Sequence, residues 1–247
     1  QLALYLRILE GETSANLQQQ LRMIPGALLP SMQHNLRQGN SLLETNDLPG
    51  DVLDDQDLLT RINPFDWRHP VRGFGDVFSG GGGFDVVIGN PPYIDIQTLR
   101  TFARPESDLY ANKFQTAKVG AWDVAHLFVE QGLSLLRPRL TSRLAFIITR
   151  NWVSADAGQA MRDLLVPSAL ERIHDFGSGQ VFDDATVYTL ILEASARTGR
   201  TGYELVRVPS ADKHGLASAR KNDSPTRGHV PFTQLPSAGP WRMLPPH

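Results

Sequence analysis

One stretch constrains this chain more than any other: Phe84-Asp85-Val86-Val87-Ile88, cut off by Gly89-Asn90-Pro91-Pro92-Tyr93. A short unbroken apolar run of this kind fits a strand buried on both faces. Proline can neither donate to a sheet ladder nor extend one, so the strand must end where the prolines begin. The alternation continues downstream. Asp123 to Leu136 sets Val124, Leu127, Phe128 and Leu135 on one helical face and stops before Pro138. Leu144 to Ile148 is a second buried strand, Ser154 to Leu165 a helix halted before Pro167, and Ile173 to Phe176 and Val187 to Leu192 two more strands. Strands alternating with helices predict an α/β fold with a mostly parallel sheet and an antiparallel edge strand. The last two strands read as antiparallel neighbours, because their Gly- and Asp-bearing link is too short for a parallel crossover.

The flanking segments are less regular. Leu2, Tyr5, Leu6 and Leu9 recur at helical spacing with no capping residue before them, so the chain reads as a piece cut from a longer one. Gly11 to Leu43 reads as a loop leading to a strand-like edge at Gln38 to Leu43, followed by an exposed acidic segment with Asp51, Asp54, Asp55 and Asp57. Phe65, Trp67, Phe74 and Phe78 anchor an irregular stretch to the core, and the polar stretch from Gln97 to Lys118 reads as a mobile loop. After Ala196 the composition shifts to Gly, Pro, Ser and Arg. The domain reading is therefore a catalytic portion over 1–196 and a linker, or entry to another domain, over 197–247.

Composition narrows the function. The 247 residues carry a net charge of −2, so any grip on nucleic acid must be local rather than a broad basic surface. No run is long and apolar enough to span a membrane and no leader opens the chain. Cysteine is absent, which excludes disulfides and thiolate metal sites and fits a reducing, cytoplasmic setting. The seven histidines show no zinc-ligand spacing, so no metal is expected.

Ligands of open α/β sheets bind beyond the carboxyl ends of the strands, where Asn90 to Tyr93 falls. Two successive prolines give the Pro91 carbonyl a set direction, and Asn90 supplies a second acceptor through its side chain. Two such acceptors can hold a planar amino group by both hydrogens and favour the positive charge that grows on nitrogen as it attacks an electrophile. Tyr93 adds a face on which a planar substrate can stack. Arg150 and Asn151, at another strand's carboxyl end, are candidate contacts to substrate or phosphate.

Phe84 to Tyr93 closely resembles the catalytic motif of adenine-specific DNA methyltransferases of the type IIG restriction–modification and phage-defence class. The resemblance runs from about Leu2 to Ala196. Leu4 to Glu10 resembles the helix before the cofactor's adenine pocket, and Gln38 to Leu42 the motif after it, which implies that Gly39, Asn40 and Ser41 bind cofactor, Asn40 at its adenine. Asp123 to Phe128 and Phe146 to Trp152 match the later helix and strand. Phe176 to Leu192 resembles the segment whose Val-Phe pair sets a second aromatic, Phe182, against the flipped base.

The resemblance implies a Rossmann-like S-adenosylmethionine-dependent methyltransferase fold, here without its N-terminal part. It also implies S-adenosylmethionine as cofactor and direct methyl transfer to N6 of an adenine extruded from double-stranded DNA. The implied partners are the rest of the methyltransferase, a recognition domain beyond His247 and, in some parents, an endonuclease. The family's Gly-rich cofactor loop and ribose-holding acidic residue precede the region where this chain starts. Gly80 to Gly83 does not replace them, because it precedes a strand where a cofactor loop would follow one. Two rival readings are protein glutamine methylation, which uses the same tetrapeptide followed by Ile, and a catalytically silent fragment acting as scaffold or DNA contact.

Overall fold

The structure, a computed structural model, describes residues 34–118, 120–166, 169–177, 179, 181, 187–196, 199–208 and 227–241. The predicted helix at Leu2 to Glu10 and the aromatic Phe182 lie outside the described residues. The chain divides into two compact units, 1–39 and 40–247. Within the first, the Arg37 guanidinium donates to the Leu36 carbonyl at 3.2 Å. All that follows concerns the second.

Its core is a six-stranded sheet in the order β1-β2-β4-β3-β5-β6. The strands are β1 (Val86–Gly89), β2 (Arg143–Thr149), β3 (Leu170–Asp175), β4 (Thr189–Ser195), β5 (Gly202–Arg207) and β6 (Arg227–Pro231). β1, β2, β3 and β5 share one direction, whereas β4 and β6 oppose it. The sheet is thus mixed α/β with most strands parallel. One antiparallel strand stands at the edge and another, β4, is wedged between β2 and β3, which makes β3 and β4 the expected antiparallel neighbours.

Helices α1 (Gly50–Asp54), α2 (Gln56–Ile62) and α3 (Gly75–Phe78) precede β1. Helices α4 (Ile96–Phe102), α5 (Arg104–Lys113) and α6 (Val124–Leu135) join β1 to β2, and α7 (Asn151–Ser154) and α8 (Gln159–Leu165) join β2 to β3. One sheet face packs Leu144, Phe146, Ile148, Leu190 and Leu192 against α6 to α8. There α6 lies so close that a Cβ on Gly132 would come within 2.5 Å of Leu144. The other face carries a charged ladder in which Arg172 binds Glu193 at 2.8 Å and Glu204 at 2.5 Å, and Arg227 binds Glu204 at 2.9 Å. A bulge at Glu171 turns that carboxylate to Arg143, 2.7 Å away.

Five segment readings change. The strand expected to be buried on both faces, β1, is instead an edge strand, with Val86 and Ile88 59% and 75% exposed, because among the described strands only β2 pairs with it. Gln38 to Leu43 is no strand: Asn40 makes one isolated bridge to Pro64 and its side chain accepts from the Leu42 amide at 3.1 Å, closing a turn. Gln97 to Lys118 is not a loop but chiefly α4 and α5, started by Asp95, whose carboxylate accepts from the Gln97 and Thr98 amides. Ser154 to Leu165 is broken, because Arg162 turns inward and donates to the Trp152 and Ala155 carbonyls between α7 and α8. The composition shift after Ala196 does not end the sheet, since β5 and β6 extend it and Trp241 packs on Trp152 and Tyr203 at 5.7 and 6.0 Å between ring centres. Phe65, Trp67, Phe74, Phe78 and Phe84 form one ring cluster, which is how the irregular stretch is anchored.

Candidate functional site

β1 delivers Asn90 to the carboxyl end of the sheet, and Gly89 permits close approach to β2: a Cβ there would meet the Phe146 ring at 3.2 Å. The Tyr93 hydroxyl donates to Asn90 Oδ1 at 2.7 Å and lies 3.3 Å from the Ile147 carbonyl. Burial, with the charge of Asp123 added, pushes the Tyr93 phenol up to about 12, so it stays a neutral donor. An O–H therefore points at the acceptor that the sequence assigns to a substrate amino hydrogen.

Behind the tetrapeptide lies a cleft of about 300 Å³ lined by Ser41, Trp67, Val87 to Pro92, Phe128, Gln131, Gly132, Leu135 and Phe146. The structure thus brings Ser41 together with Asn90, Pro91 and Pro92. Asn40 borders this region with its amide committed: Nδ2 donates to the Tyr110 hydroxyl at 3.0 Å and Oδ1 accepts from Leu42. Gly39 is the last residue of the other unit.

The segment just past Tyr93 holds a pair of carboxylates that the sequence did not single out. The Ile96 amide donates to Trp122 O at 3.0 Å and the Val124 amide to Ile94 O at 2.9 Å, which sets Asp95 and Asp123 directly opposite each other. Each caps a helix, Asp95 that of α4 and Asp123 that of α6. Burial pushes the Asp123 carboxyl up to about 6, the Ala125 amide opposing and Asp95 assisting. His126 completes the cap by accepting from the Asp123 amide through Nδ1, and burial pushes its imidazole down to about 4. The only hint of this in sequence is the Asp-x-x-His spacing at a helix start.

Arg150 follows β2, but its guanidinium turns to the buried Asp175, 3.5 Å away, and to the Gly177 carbonyl at 3.4 Å. Asn151 is exposed and opens α7. The Gly-rich run behaves as a surface turn, with Gly80 and Gly81 at φ 62° and 76° and open space around both. A second cleft, about 580 Å³, lies at the amino ends of β2 and β3. Its arginines, Arg143, Arg172, Arg200 and Arg227, are each paired with Glu171, Glu193 or Glu204, so it is an ion-pair network away from Asn90. Among the described residues no His, Asp or Glu cluster is arranged to hold a metal, and no helix is long and apolar enough to cross a membrane.

The mixed sheet thus carries Asn-Pro-Pro-Tyr at the carboxyl end of β1, beside a mostly apolar cleft. The sequence model of the Eco57I restriction-modification methylase family matches residues 1–182, and the chain belongs to that family. It is 30% identical over 190 residues to the type II restriction enzyme and methyltransferase RM.Eco57I of Escherichia coli. That match takes in 76% of this chain but only 16% of the relative's length. Among solved structures it resembles part of a type I restriction–modification complex (TM-score 0.44, 16% identity, 62% of this chain and 35% of that one). It also resembles part of the type IIL enzyme MmeI in complex with DNA (TM-score 0.42, 12% identity, 63% and 23%).

Proposed function

We propose that this chain carries the substrate-side half of a methyltransferase active site, and that the reaction transfers a methyl group from S-adenosylmethionine to N6 of an adenine flipped out of double-stranded DNA. The observation that carries the reading is the hydrogen bond from Tyr93 to Asn90. It marks Asn90 Oδ1 as an acceptor aimed where a donor arrives, at the carboxyl end of β1 and against the cleft. An adenine amino group would replace the phenol, donating one hydrogen to Asn90 Oδ1 and the other to the Pro91 carbonyl. Both acceptors stabilise the charge that grows on nitrogen as its lone pair attacks, and the proton lost afterwards passes to water. Tyr93, released from Asn90, offers its ring for stacking, and Phe182 is proposed for the opposite face.

The cleft suits the adenosyl end of the cofactor. Its walls are mostly apolar and aromatic, and its lining includes Ser41 together with Asn90 to Pro92. Among the described residues no charged side chain lines it, so the cofactor's ammonium and carboxylate would need partners beyond those that line it. When bound, S-adenosylmethionine supplies an electrophilic methyl group, and Ser41, Pro91 and Pro92, which line the cleft, would hold it. The partners proposed are duplex DNA and the remaining methyltransferase and recognition parts of a longer chain.

The test is Asn90→Ala in the intact protein, assayed with labelled cofactor and unmodified DNA. Loss of about 100-fold or more in methyl transfer is expected, the scale of removing one preorganised transition-state group. Undiminished transfer to adenine overturns the proposal, and label appearing on glutamine of an offered protein would favour the amide-methylating alternative.

A further inference from the structure

We propose that the corner between α4 and α5, formed by Arg100, Phe102 and Arg104, is a contact surface for duplex DNA. Phe102 enters the base stack beside the extruded adenine and the two arginines bind flanking phosphates. This rests on the DNA reading above and goes beyond it, because none of these residues belongs to the tetrapeptide or the cleft.

Phe102 is 81% exposed, more than any other large hydrophobic among the described residues. Single exposed apolar residues are common and need no explanation by themselves. Here three further observations converge. The corner is rigid: the Ala103 amide donates to Leu99 O at 2.7 Å, the Ser107 amide to Ala103 O at 3.0 Å, and Pro105 stands in the first turn of α5. Both arms are pinned, α4 by the Asp95 cap and buried Ile96, α5 by buried Leu109 and Tyr110 and by Glu106, which binds Arg61 at 3.0 Å. The ring is therefore held out by a built support.

Second, Arg100 and Arg104 flank Phe102 and are exposed, and neither takes part in an ion pair or side-chain hydrogen bond among the described residues. Asp108, one turn along α5, is exposed as well and leaves the corner with a local excess of positive charge. In a chain of net charge −2, phosphate contacts must come from such local groups. Arg150 is already committed to Asp175, whereas these two cations are available.

Third, the corner sits on the connection leaving the carboxyl end of β1, and the ring stands nine residues after Tyr93. An apolar side chain between cations is how proteins that open a base stack combine a wedge with phosphate anchoring. A peptide partner would use the ring but leave two unpaired cations without a reason to flank it.

The experiment measures binding of the intact protein to a fluorescein-labelled, mixed-sequence duplex across a salt series, together with labelled methyl transfer to unmodified DNA. Arg100→Ala with Arg104→Ala should lower the slope of log K against log salt by about 2, roughly 0.9 per lost phosphate contact. Phe102→Ala should leave the slope unchanged and weaken binding about tenfold, the scale of one lost stacking contact. Phe102→Trp should bind normally and show indole quenching on adding duplex beyond that of the unsubstituted protein. All these side chains are exposed, so melting curves should be unchanged. Wild-type slope and affinity in the variants, with an unsubstituted protein that binds and methylates DNA, overturn this surface alone. Failure of the unsubstituted protein to bind or methylate DNA overturns both readings, and binding to anionic vesicles in place of duplex overturns the choice of partner.

Discussion

At Asn90 the side-chain oxygen already accepts a hydrogen bond, from a phenol three residues on. That geometry separates two roles of Tyr93. If its ring is what the substrate needs, Tyr93→Phe keeps stacking and frees the acceptor, so methyl transfer should stay within about threefold of wild type. Tyr93→Ala removes the ring and should cost about 10- to 100-fold in kcat/KM, since one stacked base is worth about 1–3 kcal/mol. Steady-state kinetics on both variants decides this, and equal loss in the two would assign the role to the hydroxyl. The tetrapeptide and its position after a strand were legible from residue types, because proline stops a strand wherever it occurs; that the strand is an exposed edge rather than buried on both faces was not. The hydroxyl's placement was not, since it depends on where β2 brings Ile147 relative to Asn90.

The start of α6 shows what an element adds to its residues. Asp123, pushed up to about 6, binds more protons folded than unfolded, so its contribution to stability falls as pH rises from its ordinary 3.8 to about 6. His126, pushed down to about 4, binds fewer protons folded than unfolded, and its contribution rises as pH rises from about 4 to its ordinary 6.5. Each is on the order of 3 kcal/mol, and they oppose each other over nearly the same window. Asp123→Asn keeps a capping side chain and should expose a stability curve that climbs from pH 4 to 6.5. His126→Gln should expose one that descends from pH 4 to 6. Urea unfolding across pH reads both, and parallel curves for the two variants would refute the pairing. α4 and α5 escaped the sequence reading because part of α5's buried face is polar. Glu106 and Ser107 are buried there beside Leu109 and Tyr110, and Arg61 from α2 neutralises Glu106, so no apolar stripe marks the helix.

For the whole unit, the question raised by composition is where the domain stops. Trp241 is 4% exposed, its amide donates to Val153 O at 2.8 Å, and its ring meets Trp152 on α7 and Tyr203 on β5. Trp241→Ala should therefore destabilise the unit by about 3–5 kcal/mol, seen as a lower urea midpoint with unchanged slope. A loss under about 1 kcal/mol would mean that 227–241 is an appendage. Gly, Pro, Ser and Arg after Ala196 suggested a linker, but composition does not report pairing, and here β5 lies inside the sheet between β3 and the half-exposed edge strand β6.

By itself the sequence determined four of the six strands, β1 to β4, where the first of them must stop, that β3 and β4 pair antiparallel, and which four residues stand at the exit of β1. These follow from local rules: side-chain periodicity, the missing proline amide and the shortness of a link. Only the tertiary structure decided that β4 lies between β2 and β3, that Asp95 faces Asp123, that Arg150 is tied to Asp175, and that Phe102 is held out beside two exposed arginines. Those outcomes depend on contacts between residues far apart in the chain, whose free energy comes from burial and pairing and leaves no mark on the local pattern of residues.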